Sequence, residues 1–239
     1  MMFFGSFTTV LAASSSFLGD VWRFIQNPEN GYGAQLWTTI LLSVYPIVLS
    51  FVIALPLGIA TARQPIAAFL SANLSGLARA IPSLVFLAVM VPVFGIGFTP
   101  SLIALTLLGI PPILLNTIAG LRGIDPAAID AAKGMGMTRF QILQRVEMPL
   151  VMPIIAAGVR IAALQIVATT PIAALIGSGG FGDYILAGVN ILDYVQATAG
   201  ALGIVALALL TEALFALLQR ALTPAGIRAS EEAAEKAAA

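Results

Sequence analysis

Charged side chains all but vanish from five long stretches of this chain. Several stretches of that kind in one chain of this length read as helices crossing a membrane. Leu36–Ala62, Ser101–Leu121, Leu150–Ile176 and Ala201–Leu222 each reach the roughly 20 apolar residues that cross a bilayer, and Gln64–Arg79 with Ile81–Phe94 makes a long second span. Composition agrees: 59% of residues are hydrophobic, 9% are charged and the mean hydropathy is +1.01, against roughly 25% charged in a soluble domain. The expected fold is all-α, a polytopic membrane protein with five core transmembrane helices. Pro46 and Pro56 should bend the first span, and Pro111 with Pro112 should break the third near its middle. Residues 1–35 form an N-terminal segment and connector, 36–222 the transmembrane domain, and 223–239 a frayed or briefly helical tail of Ala, Glu and Lys. Met1–Leu18 carries no Lys or Arg, so the basic start of a secretory signal is missing; an interfacial helix and a weak extra span both stay open. Asp20–Gly33 reads as a polar, turn-rich connector, with Trp22 suited to a headgroup interface.

Orientation follows from the basic residues. If five spans alternate, Arg63, Arg79, Arg122, Lys133, Arg139, Arg145, Arg220, Arg228 and Lys236 share one side, leaving Arg23 opposite and Arg160 inside a span. The positive-inside rule makes that side the cytoplasm, with the N-terminus outside. With no Cys and no His, thiol chemistry, the commonest metal ligand and the commonest general base are all missing, so no catalytic or metal site is expected. Zero net charge gives no support for nucleic-acid binding.

The loop of residues 122–149 concentrates the charge. Asp125-Pro126 is a helix start, and Gly134 and Gly136 are stop signals. Between them Ile129, Ala132 and Met135, flanked by Ala128 and Ala131, make a narrow apolar face able to approach another protein closely. Thr138 with Gln141 reads as a capping box opening a second helix, which runs through Pro149 into the fourth span.

This run resembles the EAA motif of ABC importer permeases, here Asp130-Ala131-Ala132, then Gly136, then Val146, Met148 and Pro149, with Asp in place of the first Glu. Together with IPSL (Ile81–Leu84), GIPPILLNTIAGL (Gly109–Leu121), RVEMPLVMP (Arg145–Pro153) and GSGGFGDYI (Gly177–Ile185), it makes the chain most similar to osmoprotectant permeases for glycine betaine, choline and carnitine. The resemblance implies a cytoplasmic coupling helix, with Ile129, Asp130, Ala131, Ala132, Lys133, Met135, Gly136 and Pro149 as ATPase-coupling residues. It also implies a bacterial inner-membrane location and three partners: a dimer of ATP-binding subunits, an extracytoplasmic solute-binding protein and a second permease copy, identical or related. ATP and Mg would be bound by the partner ATPase, and this chain would bind no cofactor. No G-x-x-x-x-G-K-[ST] is present for ATP to use.

Other motifs have competing readings. Gly177–Gly182 matches G-x-G-x-x-G, but it follows a membrane span rather than a strand, so a glycine-rich turn is expected instead of a nucleotide site. Phe181, Asp183 and Tyr184 either pack that turn or line an outer mouth where the binding protein docks. Asn116, Gln165 and Thr169 are polar groups at membrane depth and candidates for the translocation path, against the alternative of helix–helix hydrogen bonding. Tyr45, Phe86, Phe94 and Phe98 offer either cation–π surfaces or packing. Arg160 and Glu212 lie at nearly matching depth in consecutive antiparallel spans, which suggests an intramembrane ion pair. Against the ABC reading stand a methionine or other amino-acid permease of the same architecture and an ion-driven secondary transporter. The latter predicts inverted repeats and several intramembrane acids, whereas Glu212 is the one candidate acid and no repeat is visible.

Overall fold

The computed structural model describes residues 16–222, apart from the side chains of Ala78 and Arg79. Among these residues there is no strand. The first helix, α1, is described from residue 16 to 26, followed by a 3-10 turn at Pro28–Asn30. Then come α2 (Tyr32–Ala62), α3 (Pro65–Ala80), α4 (Ser83–Phe94), α5 (Phe98–Arg122), α6 (Pro126–Gly134), α7 (Arg139–Ile142), α8 (Met148–Ala173), α9 (Phe181–Ile191) and α10 (Tyr194–Leu222). A π-helical turn, Leu143–Glu147, joins α7 to α8 without a break.

Among the described residues, four helical stretches are long and apolar enough to cross a membrane: Pro28–Ala62, Phe98–Arg122, Arg139–Ile176 and Tyr194–Leu222. The expected second span is instead two shorter helices, α3 and α4, parted at Ile81, whose extended backbone (φ −77°, ψ 125°) is the conformation a following proline imposes. Residues 20–26 are helical rather than turn-like, and α9 was not anticipated at all. The expectations for the first fifteen residues and for the tail from Thr223 concern segments outside the described residues.

Pro111 and Pro112 do not break α5, and α2 runs through Pro46 and Pro56. Membrane helices tolerate such residues because neighbouring groups take up the hydrogen bonds a proline disturbs. Side chains also bond α5 on either side of the pair, Ser50 Oγ donating to the Thr106 carbonyl at 2.7 Å and Asn116 Nδ2 to the Pro112 carbonyl at 2.8 Å, although neither carbonyl is one the prolines leave without a donor.

The chain forms two compact units. One comprises the described residues up to Tyr45, Ser83–Leu105 and Val167–Leu209; the other comprises Pro46–Pro82, Thr106–Ile166 and residues 210–222. In the first unit α9 is anchored by α2. The Gly180 N–H donates to Gln35 Oε1 at 2.6 Å and the Phe181 N–H to Thr39 Oγ1 at 2.8 Å, so side chains of α2 satisfy donors at the start of α9. Gly180 is required here: its φ is +86° and a β-carbon would lie 2.7 Å from Thr39 Oγ1. In the second unit, Ala54, Ala68, Ile113, Leu114, Ile118 and Ala162 form the buried core, with Phe51, Ile110 and Val159 packed against it.

Small residues set the approach of α5 and α8. A β-carbon on Gly158 would sit 2.7 Å from Asn116 Cβ and 2.9 Å from the Pro112 carbonyl oxygen. Gly158→Ala should therefore force the two helices apart and cost on the order of 1–3 kcal/mol. A lower unfolding temperature of the detergent-solubilised chain is the expected reading; an unchanged one would mean that the helices do not pack this closely.

Candidate functional site

The segment from Arg122 to Pro149 is built as two short, firmly bounded helices. Asp125 Oδ1 accepts from the Ala127 N–H at 2.9 Å, and Pro126 occupies the first turn, where its missing donor costs nothing. At the other end Gly136 takes φ +77°, while the Gly136 N–H reaches the Lys133 carbonyl at 2.9 Å and the Met137 N–H the Ala132 carbonyl at 3.2 Å. That paired arrangement is a Schellman stop, which needs a left-handed residue at Gly136. The capping box of α7 forms in both directions: Thr138 Oγ1 accepts from the Gln141 N–H at 3.3 Å, and Gln141 Oε1 from the Thr138 N–H at 2.8 Å.

The apolar face expected from Ile129, Ala132 and Met135 divides. Ala132 is buried within the chain, Ile129 lines a cleft described below, and Met135, which caps α6 beyond its last turn, is 74% exposed. Asp130, Ala131, Lys133 and the capping Met135 are exposed, with Lys133 Nζ on Asp130 Oδ1 at 2.8 Å. Pro149 lies in the first turn of α8. It cannot donate to a carbonyl of the preceding turn, and its ring needs room there; the wider π turn, in which the Met148 N–H bonds the Leu143 carbonyl, supplies that room.

Sequence reasoning missed what holds this segment to the rest of its unit. Glu147, at the end of the π turn, is 4% exposed, and both of its carboxylate oxygens accept from Arg63 Nη2, at 2.7 and 2.6 Å. Arg63 directly follows α2, so the pair ties the loop to the end of another span. The signal was present: an acid embedded in the otherwise apolar Val146-Glu147-Met148-Pro149, and an arginine closing a span.

Arg160 and Glu212 are in direct contact. Arg160 Nε donates to Glu212 Oε2 at 3.0 Å and Nη2 to Oε1, while Nη1 reaches Gln219 Oε1 at 3.3 Å. This two-pronged geometry suits a guanidinium facing a carboxylate. Asn116 Nδ2 bonds the Pro112 carbonyl of its own helix, and its Cβ lies where a β-carbon on Gly158 would meet it. Gln165 is partly buried and Thr169 buried, one helical turn apart on α8.

Phe181 and Tyr184 are 1% and 6% exposed, so within this chain they are packing residues and present no open surface. The Phe181 ring lies 4.7 Å from that of Tyr32, and the Tyr184 ring 5.9 Å from Tyr32 and 5.4 Å from Phe24. Tyr184 Oη donates to the Asn30 carbonyl, and Tyr32 Oη to the Ala199 carbonyl at 3.1 Å. Burial raises the Asp183 carboxyl above the usual carboxylate range; burial, then Tyr32 and Asp183 nearby, raises the Tyr184 phenol. Tyr45 and Phe98 meet edge to face at 6.4 Å.

An all-helical chain with several membrane-crossing helices and a capped two-helix loop leading into one of them has the organisation of a transport permease. The chain belongs to the family described as the binding-protein-dependent transport system inner membrane component, whose model matches residues 54–225. It is 36% identical over 209 residues to a carnitine transport permease protein, OpuCB, of Listeria monocytogenes, covering 87% of this chain and 96% of that protein. It is 34% identical over 213 residues to a choline transport system permease protein, OpuBB, of Bacillus subtilis, covering 88% and 98% respectively. A chain of the MetNI methionine ABC transporter, solved in inward-facing conformations, shares the fold with a TM-score of 0.69 at 24% identity, over 81% of this chain and 96% of that one.

The two ion pairs generate separate predictions. Arg63→Ala leaves a buried carboxylate without its partner; the loss should be large, but below the roughly 3–5 kcal/mol of a fully buried pair, since the Arg63 side chain is 50% exposed. Replacing both residues by Leu should recover most of it in thermal unfolding, and a double variant no more stable than Arg63→Ala would contradict the pairing. For Arg160 and Glu212, Arg160→Ala should destabilise more than Arg160→Ala combined with Glu212→Ala. A double-mutant cycle with zero coupling would refute this contact.

Proposed function

We propose that this chain is the membrane-spanning subunit of an ATP-driven importer for quaternary-ammonium osmoprotectants such as glycine betaine, choline and carnitine. The observation that carries the reading is the continuity of the loop with a span: α6 is capped at both ends, Gly136 joins it to the α7 capping box, and the helical stretch from Arg139 continues without interruption to Ile176. A short rigid helix joined through a single left-handed glycine to a membrane-crossing helix is a lever. Pushed by a partner that closes on ATP, it would carry the attached span between inward-open and outward-open states. Asp130, Ala131, Lys133 and Met135 form the surface offered to that partner, with Ile129 and Ala132 holding α6 to its own chain.

The substrate class is supported by the names of relatives that match most of this chain, which are carnitine, choline and glycine betaine permeases. A methionine permease of the same architecture is the weaker reading, since it rests on shared fold at 24% identity. The remaining partners are a dimer of ATP-binding subunits holding ATP and Mg, an extracytoplasmic binding protein that delivers substrate, and a second permease copy. The chain sits in the bacterial inner membrane with the α6–α7 loop in the cytoplasm. Asn116, Gln165 and Thr169 remain the candidates for the path.

Two experiments test this. In liposomes holding the chain with its ATPase and binding protein, glycine betaine uptake should require ATP. Gly136→Val, which forces a β-branched residue into a left-handed conformation at about 1–3 kcal/mol, should lower uptake at least tenfold while the complex still assembles. Normal uptake by this variant would sink the lever, and uptake driven by an ion gradient alone would sink the ATP-driven reading. In intact cells a Cys replacing Met135 should be labelled only from the cytoplasm and one replacing Ile96 only from outside, both native side chains being about three-quarters exposed. Labelling from one common side would overturn the orientation.

A further inference from the structure

Beneath α6 lies an open cleft of about 700 Å³. Its lining includes Arg63, Arg122, Lys133 and Arg139, with Glu147 as the one carboxylate. Glu147 is taken up by Arg63, and Lys133 reaches Asp130 on the outer surface. Arg122 and Arg139 make no ion pair among the described residues. Two guanidiniums with no ion-pair partner among the described residues give the cleft a positive lining suited to an anion.

Where the cleft lies narrows the choice of anion. Arg63 follows the last residue of α2 and Arg122 is the last of α5, so both stand where an apolar span ends, the level at which phosphodiester headgroups lie. A second, apolar groove of about 350 Å³ shares Arg63, Leu121 and Arg139 with the cleft and adds Ile59, Phe140 and Leu143. Ile59 is one helical turn back into α2 from Arg63, and Phe140 is exposed. Cations at the span ends, continuous with an apolar furrow along the span, match a molecule with an anionic head and a hydrocarbon tail. Basic pockets between transmembrane helices hold anionic lipid headgroups by the same combination.

We propose that this cleft and groove bind an anionic phospholipid, with Arg122 and Arg139 on the phosphate and Ile59, Phe140 and Leu143 along an acyl chain. A free anion would use the cleft and leave the groove empty. An acidic segment of a protein partner would use the arginines and have no use for a furrow running into the membrane span.

The test uses the full-length chain purified in detergent and needs neither ATP nor substrate, so it stands or falls separately from the transport reading. Native mass spectrometry would compare phosphatidylglycerol with phosphatidylcholine of identical chains. The wild type should prefer phosphatidylglycerol by on the order of ten- to thirtyfold, as two cations near a membrane surface provide. Arg122→Gln with Arg139→Gln should abolish the preference without weakening phosphatidylcholine binding, and Arg122→Lys with Arg139→Lys should largely keep it. Arg220→Gln, at the end of α10 and outside the cleft, should leave it unchanged. A photoactivatable phosphatidylglycerol carrying its label in the acyl chain should mark the peptide containing Phe140 and Leu143, a readout available even if the double Gln variant fails to fold. An unchanged preference in a folded double Gln variant would overturn the proposal. So would displacement of the lipid by millimolar inorganic phosphate, or loss of lipid on adding the ATPase partner, which would assign the cleft to a free anion or to that protein.

Discussion

Hydrocarbon offers a helix no water, and most of what is unusual in this chain follows from that absence. Each polar group on a membrane-crossing helix must find its partner within the protein. Ser43 and Thr117 donate to carbonyls one turn back in their own helices, at 2.8 Å in both cases. Asn116 does the same beside a proline, and Ser50 reaches across to α5. Among the described residues no buried side-chain nitrogen or oxygen lacks a hydrogen bond. The two inter-helix ion pairs obey the same rule at higher stakes, because an unpaired charge in such surroundings costs far more than an unpaired hydroxyl.

That constraint also shapes how the loop is attached. Under the proposed lever, displacement of the loop would have two routes to the spans. One is covalent, through the π turn into α8; the other is electrostatic, from Glu147 to Arg63 at the end of α2. The covalent route moves one span. With the buried carboxylate gripped from α2, displacement of the π turn would be passed to a second span as well. The grip lies inside the cleft assigned to lipid, so an anion beside Arg122 and Arg139 would also act on the field around that carboxylate.

Much of this was legible in the sequence because the signals are local and chemical. The Asp125-Pro126 start, the stop at Gly136 and the Thr138–Gln141 box involve residues within a few positions of one another, and each appears as a named hydrogen bond. Span length and apolar content likewise pointed to five spans, four of which are single helices long and apolar enough to cross among the described residues, while the second is divided between α3 and α4. What the sequence withheld depended on distant partners. The apolar face of α6 could not be divided into Ala132 inside and Met135 outside until the chain packing against it was known. Phe181 and Tyr184 looked available for a docking surface because nothing near them shows that Tyr32 and Phe24, well over a hundred positions earlier, pack against their rings. Pro111 and Pro112 read as a break because a proline pair ends most helices in water, whereas α5 continues through both, as membrane helices allow.

The π turn at Leu143–Glu147 has a consequence for the phase of the long helix that contains it. A turn closed by a bond to the fifth residue back takes up one more residue than an α turn, and one residue of α-helix is about 100° of rotation. Every side chain beyond Glu147 is therefore rotated from the face that uniform winding from Arg139 would assign to it. Arg160 meets Glu212 from the rotated face. Removing one residue within the turn would restore uniform winding and swing the rest of α8 by about 100°, carrying that guanidinium away from its carboxylate without altering the sequence of the span.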